Sequence, residues 1–174
     1  MKKVLLCREE DSLETRVALI PDDIKKLKNM GFEFKVVSGA GIKSGFSDES
    51  YVNAGAEVIE SADAGYADSE IVVRILKPSN IDNLKEDTLH LSYLDPFNEK
   101  ELLNKFVEKK AMAVSLEMIP RTTLAQKMDV QSSQTSLAGY VAVINAAAKL
   151  PKIFPMMMTP AGYTPPANTI IFHA

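Results

Sequence analysis

Short apolar runs alternate with stretches of helical spacing along the first two thirds of the chain. Val4 to Cys7 is a four-residue apolar run closed by Arg8-Glu9-Glu10-Asp11, which reads as a buried strand. Pro21, the acids Asp22 and Asp23, apolar Ile24, Leu27 and Met30, and then Gly31 as a stop predict a helix with its signals in the expected order. Further strands are predicted over Phe32 to Val37, Glu57 to Ile59, Ile71 to Ile75, Leu89 to Tyr93 and Ala111 to Leu116. Between them, Ser47-Asp48-Glu49-Ser50 caps a short helix ending at Gly55, and Phe97 to Lys109 carries Leu102, Leu103, Phe106 and Val107 at helical spacing. Strand and helix in alternation predict an α/β fold, a doubly wound parallel sheet of flavodoxin-like or Rossmann-like type.

The last third changes pattern. Ser133 to Leu150 predicts a helix with Leu137, Tyr140, Val141, Ile144 and Ala148 on one stripe, while Ala138, Ala142, Val143, Ala146 and Ala147 leave little polar surface opposite. Such a helix expects cover on more than one side. Prolines 151, 155, 160, 165 and 166 then exclude a continuing helix, and Thr169 to Phe172 reads as a further strand. The expected organisation is a domain over 1–130, followed over 131–174 by a linking helix and the truncated start of a second domain.

Composition narrows the possibilities. Twenty basic residues against 23 acidic give a net charge of −3 over 174 residues, which offers no footprint for nucleic acid or anionic lipid. Without a long apolar run or a signal peptide, the chain is expected in the cytoplasm, with no direct membrane insertion. The single Cys7, at the end of an apolar strand, is read as a small buried residue. Two histidines and one cysteine cannot supply a zinc site, so no metal is expected. His90 lies in mid-strand and reads as a core or surface histidine, and Ser132-Ser133 has no nucleophile-elbow spacing. Met156-Met157-Met158 is read as adaptable packing.

Two segments are rich in candidate chemistry. Gly39-Ala40-Gly41-Ile42-Lys43-Ser44-Gly45 follows a strand as a phosphate loop would, but its glycine spacing departs from the dinucleotide fingerprint and it runs into a loop. It is expected to be a turn that needs positive φ. Between Ile119 and Gln134 the chain places Arg121, Gln126, Gln131, Gln134, Asp129, Ser132 and Ser133 between a strand and a nearly apolar helix. Buried unpaired, each would cost about 1–3 kcal/mol. The segment is therefore either a ligand loop or a hydrogen-bonded structural one.

Glu14-Thr15-Arg16-Val17-Ala18-Leu19-Ile20-Pro21, Ser38-Gly39-Ala40-Gly41 with Gly45-Phe46-Ser47-Asp48, Pro120-Arg121 through Gly139-Tyr140, and Phe154 to Thr159 with Pro165-Pro166-Ala167 occur in register. Together they resemble the alanine dehydrogenase and NAD(P) transhydrogenase alpha-subunit family, N-terminal domain, and most closely its proton-translocating transhydrogenase branch. The resemblance implies a second, NAD-binding domain after Pro-Pro-Ala, whose glycine fingerprint does not follow here. An alanine dehydrogenase would need an arginine, a lysine and a histidine around its substrate. Arg16 fits the first, whereas Leu76 and Tyr93 stand at the other two positions, and neither can do the required pairing or proton transfer. In the transhydrogenase branch, by resemblance, Arg121, Asp129 and Ser132 hold the nicotinamide end of NAD(H), and Gln126 reaches towards the NADP side. These four are the expected catalytic residues. The implied partners are an NADP-binding transhydrogenase subunit, a separate NAD-binding domain and a second copy in a homo-oligomer, a dimer. The implied function is that of an N-terminal fragment, inactive alone. The alternatives are a non-catalytic self-associating or partner-docking module and an alanine dehydrogenase-like oxidoreductase.

Overall fold

The structure is a computed structural model that describes residues 2–168 and 170. The chain forms two compact units, Met1–Met128 and Asp129–Ala174.

The first unit is built on six strands: β1 (Lys2–Leu6), β2 (Phe32–Val37), β3 (Glu57–Ile59), β4 (Ile71–Val73), β5 (Leu89–Ser92) and β6 (Met112–Ser115). All pair in parallel in the order β3-β2-β1-β4-β5-β6. The chain starts in mid-sheet, winds outwards to β3, returns beside β1 and winds outwards the other way. This is the doubly wound order with its switch point between β1 and β4, where such sheets bind ligands at the carboxyl ends of the strands.

Helices α1 (Pro21–Lys28), α2 (Asp48–Asn53), α3 (Ala62–Tyr66) and α4 (Lys100–Glu108) make the crossovers. Pro21 pre-sets the first turn of α1 and two acids meet its dipole, while Gly31 at φ +95 turns the chain into β2. The Ser47 side chain accepts from Ser50 N and caps α2. Two local departures from the sequence reading have simple causes. The five residues of α3 are too few to show a helical period. The helix expected from Phe97 begins at Lys100, because Asp95, at φ 52, heads a turn that accepts from Asn98 N and Glu99 N, both at 3.0 Å.

One sheet face packs Leu5, Val72, Tyr66, Leu102 and Phe106, and the other packs Leu6, Ile24, Phe34, Val36 and Tyr51. His90 is fully buried against Phe106, their ring centroids 5.1 Å apart, with Nε2 3.1 Å from Ser92 Oγ. Cys7 is 1% exposed, and burial pushes its thiol up to about 11.

The second unit holds α5 (Val130–Lys149) and an antiparallel hairpin of β7 (Met157–Thr159) and β8 (Gly162–Thr164). The helix starts three residues before the expected Ser133 because Asp129 caps it. No residue of α5 is buried. The sequence reading contained no hairpin and treated Met156-Met157-Met158 as packing, whereas Met157 and Met158 lie in β7 and stay 46% and 76% exposed. The strand expected over Thr169 to Phe172 lies, apart from Ile170, outside the described residues, as does His173.

Candidate functional site

At the carboxyl edge of the sheet, carboxylates pin the loops. Glu9, just after β1, accepts from Ile75 N at 2.7 Å and Leu76 N at 3.1 Å, where the chain leaves β4. Glu117, just after β6, accepts from Leu94 N at 3.0 Å and Asp95 N at 2.5 Å, where it leaves β5. Burial works against the Glu117 charge, but the Ser115 hydroxyl and the main-chain donors outweigh it and hold its pKa below the usual range. Asp48 does the same after β2, taking Gly39 N and Ser38 Oγ at 2.8 Å each.

Arg74, 1% exposed, lies under these loops. It donates through Nη1 to Glu10 at 2.9 Å and faces Glu9 at 3.7 Å. Burial opposes its charge, yet the Glu10 bond and the neighbouring acids outweigh that and raise its pKa. Above it opens a cleft of about 570 Å³, lined among others by Glu10, Asp11, Leu76, Lys77, Tyr93 and Asp95. Its walls come from the loops after β1, β4, β5 and β6, at the switch point. Leu76 and Tyr93, the two positions where a dehydrogenase would need a lysine and a histidine, both line it. Arg16 is held outside that lining by Glu14, its Nη2 2.6 Å from Oε2, and this hydrogen bond keeps the Glu14 carboxyl below its ordinary range.

The β1–α1 loop does not fit a pyrophosphate. It runs from Cys7 to Ile20 without a glycine and contains Glu9, Glu10, Asp11 and Glu14. It also presents carbonyls rather than amides: Lys43 Nζ bonds the oxygens of Asp11, Ser12 and Glu14 at 3.0, 3.1 and 3.2 Å. A cation stands where a phosphate cradle would need converging N–H groups. The glycine loop after β2 is closed in a different way. Gly39 and Gly45 turn it at φ +77 and +85, the Gly39 amide is spent on Asp48, and a Cβ on Gly41 would meet the Tyr51 ring at 2.6 Å.

The four resemblance residues fall on the polar segment at the seam in the chain. Arg121 follows the strand-end turn and Gln126 opens a 3-10 turn, Gln126–Met128. Both side chains are exposed in the first unit, where Ala125 anchors the segment at 5% exposure. Asp129 and Ser132 belong to the second unit and are brought together there. Asp129 Oδ1 accepts from Gln131 N and Ser132 N, each at 3.0 Å, and Oδ2 takes Ser132 Oγ at 2.5 Å. The pair is built by the N-cap of α5. Glu9, Arg74 and Glu117 were not singled out from sequence, although an arginine inside the apolar run Ile71 to Ile75 is a signal that counter-charges must exist.

Among the described residues no group of three or more His, Cys, Asp or Glu could hold a metal ion, and no helix is long and apolar enough to cross a membrane.

Fold and site together define a doubly wound α/β domain whose ligand edge is ordered by carboxylates rather than by a phosphate loop. The chain belongs to the alanine dehydrogenase/PNT N-terminal domain family, whose model matches residues 5–138. It is 33% identical over 177 residues to the first of the chains that make up the NAD(P) transhydrogenase alpha subunit of Rhodospirillum rubrum, covering 98% of this chain and 46% of the relative. With the NAD(P) transhydrogenase subunit alpha of Cereibacter sphaeroides the identity is 39% over 163 residues, covering 92% and 31%. Among solved structures, the transhydrogenase of Sinorhizobium meliloti superposes with a TM-score of 0.86 at 36% identity, covering 95% of this chain and 50% of that one. An L-alanine dehydrogenase gives 0.63 at 29% identity, covering 67% and 33%. The chain thus spans half or less of the length of the transhydrogenase relatives it matches.

Proposed function

We propose that this chain supplies the first half of a transhydrogenase alpha subunit, and that its polar segment forms the nicotinamide side of a hydride-transfer site. In this reading Arg121, Asp129 and Ser132 hold the nicotinamide end of NAD(H), and Gln126 faces an NADP-binding partner. The observation that carries it is the Asp129–Ser132 pair, fixed at 2.5 Å on a helix N-terminus that immediately follows the segment bearing Arg121 and Gln126. Direct hydride transfer between two rings needs orientation rather than an acid or base, and rigid polar groups supply that. The switch-point cleft offers the opposite: Leu76 and Tyr93 in the positions of a substrate lysine and an acid/base histidine.

The pyrophosphate-binding half lies outside these residues in this reading, so residues 1–174 alone bind NADH weakly and transfer no hydride. Calorimetric titration with NADH is expected to give no saturable heat in the low micromolar range, and saturation there would refute the reading. Joined to the remaining half of the Cereibacter sphaeroides relative, the chain is expected to regain NADH binding. Asp129→Asn in that fusion should then lower hydride transfer to an NADP analogue by about 100-fold, the loss expected when a ring is misplaced by about 1 Å. Transfer unchanged by the substitution would remove Asp129 from the site.

A further inference from the structure

Each unit, taken by itself, leaves one apolar surface unmatched. The registers place Ile71 and Val73 of β4 beside Leu89 and Leu91 of β5, and these beside Met112 and Val114 of β6, so the six share one sheet face. Ile71 and Val73 lean on the core formed under α1 and α2, but Leu89, Leu91, Met112 and Val114 belong to no core cluster on that face. Met112 is 56% and Val114 37% exposed. Among the described residues of the first unit, α1 packs on β2 and α2 on β3, while α4 packs on β6 from the opposite face, where Leu102 and Phe106 join the core of Leu5 and Val72. A parallel sheet is normally covered on both faces. Here one face is bare over β5 and β6.

The second unit carries the complement. In α5, Leu137, Tyr140, Val141 and Ile144 fall on one stripe, each between 47% and 67% exposed. Lys149 is the only charged residue among the 20 of the helix. Both surfaces are uncharged, and neither charge nor hydrogen-bonding need opposes their contact.

We propose that the occupant is a second copy of this chain: α5 of one protomer lies across the bare face of β4, β5 and β6 of its partner, and the exchange is reciprocal. Magnitude separates this from the simpler pairing of the two bare sheet faces. Three short strands offer a patch of roughly 15 by 15 Å, well short of the about 1,200 Å² total that a stable interface buries. A 20-residue helix is about 30 Å long and 10 Å wide, so two exchanged helices, counted on both surfaces, bury roughly 1,200 Å². A twofold dimer satisfies both orphan surfaces with one contact used twice.

The inference is independent of the nicotinamide reading, because it makes no use of NADH and its test is run on the chain alone. Sedimentation equilibrium is expected to show a monomer–dimer equilibrium. Ile144→Glu on α5 and Val114→Glu on β6 should each shift it to monomer, with circular dichroism unchanged, while Ser133→Glu leaves the dimer intact. Val114→Cys and Ile144→Cys proteins, mixed and treated with a bis-maleimide, should join as an unlike pair, and Cys7, 1% exposed, should not react. A monomer at every concentration overturns the proposal and leaves the face to another segment or chain. Linkage found only inside the doubly substituted monomer also overturns it, by showing that α5 covers its own sheet.

Discussion

Arg74 and His90 are fully buried polar side chains on neighbouring strands, and they meet burial in opposite ways. Arg74 keeps its charge because Glu9 and Glu10 flank it, at 3.7 and 2.9 Å. His90 has no carboxylate, only Ser92 Oγ, and its pKa is lowered to about 3, first by burial and then by the charge on Arg74. A histidine whose pKa is depressed in the fold contributes stability that is complete above its unfolded value near 6.5 and is lost as pH falls from there towards 3. Urea midpoints measured across that window should decline on the acid side. His90→Gln, which cannot take up the proton, should flatten that limb, and an unchanged slope would show that His90 does not carry it. The glycines after β2 answer a different demand at the same scale. Gly41 leaves room for Tyr51, which is fully buried and donates to Leu19 O at 2.9 Å, so the loop's small residues serve packing rather than phosphate binding.

At the scale of elements, α5 depends on its first residue. Its stripe is not buried within its own chain, so the helix lacks the packing that stabilises most helices, and end effects weigh more. Asp129 satisfies two of the orphan amides and holds Ser132 besides. Asp129→Ala should cost about 1 kcal/mol of local helix stability. Amide exchange at residues 131–134 is expected to quicken by roughly fivefold, the rate ratio that such a loss implies. Exchange confined to the wild-type rate would mean that other contacts hold the first turn. The residues that cap α5 are also those placed by resemblance against the nicotinamide, so a structural cap and a ligand-holding pair are built from the same two side chains.

For the whole molecule, a first unit with its own two-sided core is followed by a helix and a hairpin whose apolar residues are largely exposed. If a second copy supplies the missing cover, the dimer binds only the native state and adds stability by mass action. The melting temperature should therefore rise with protein concentration in the wild type and stay constant in Ile144→Glu. A concentration-independent melting temperature in both would count against the dimer.

The pattern of apolar runs was enough to define the parallel α/β sheet, because alternation of buried strand and amphipathic helix is written locally in every βα unit from Val4 to Leu116. The burial of Cys7 was legible for the same reason. The polar segment from Arg121 to Ser132 could be picked out by composition, since so many hydrogen-bonding groups beside an apolar helix demand partners. Other features needed three dimensions. The strand order that sets the switch point, the pairing of Arg74 with Glu9 and Glu10 across some 65 residues, and the carbonyl cage around Lys43 each join segments far apart in the chain, and nothing local encodes which distant partner a charge will find. The bare face over β5 and β6 belongs to the same class. Alternation along a strand says which side chains share a face, and only the packed fold decides which face is left without cover.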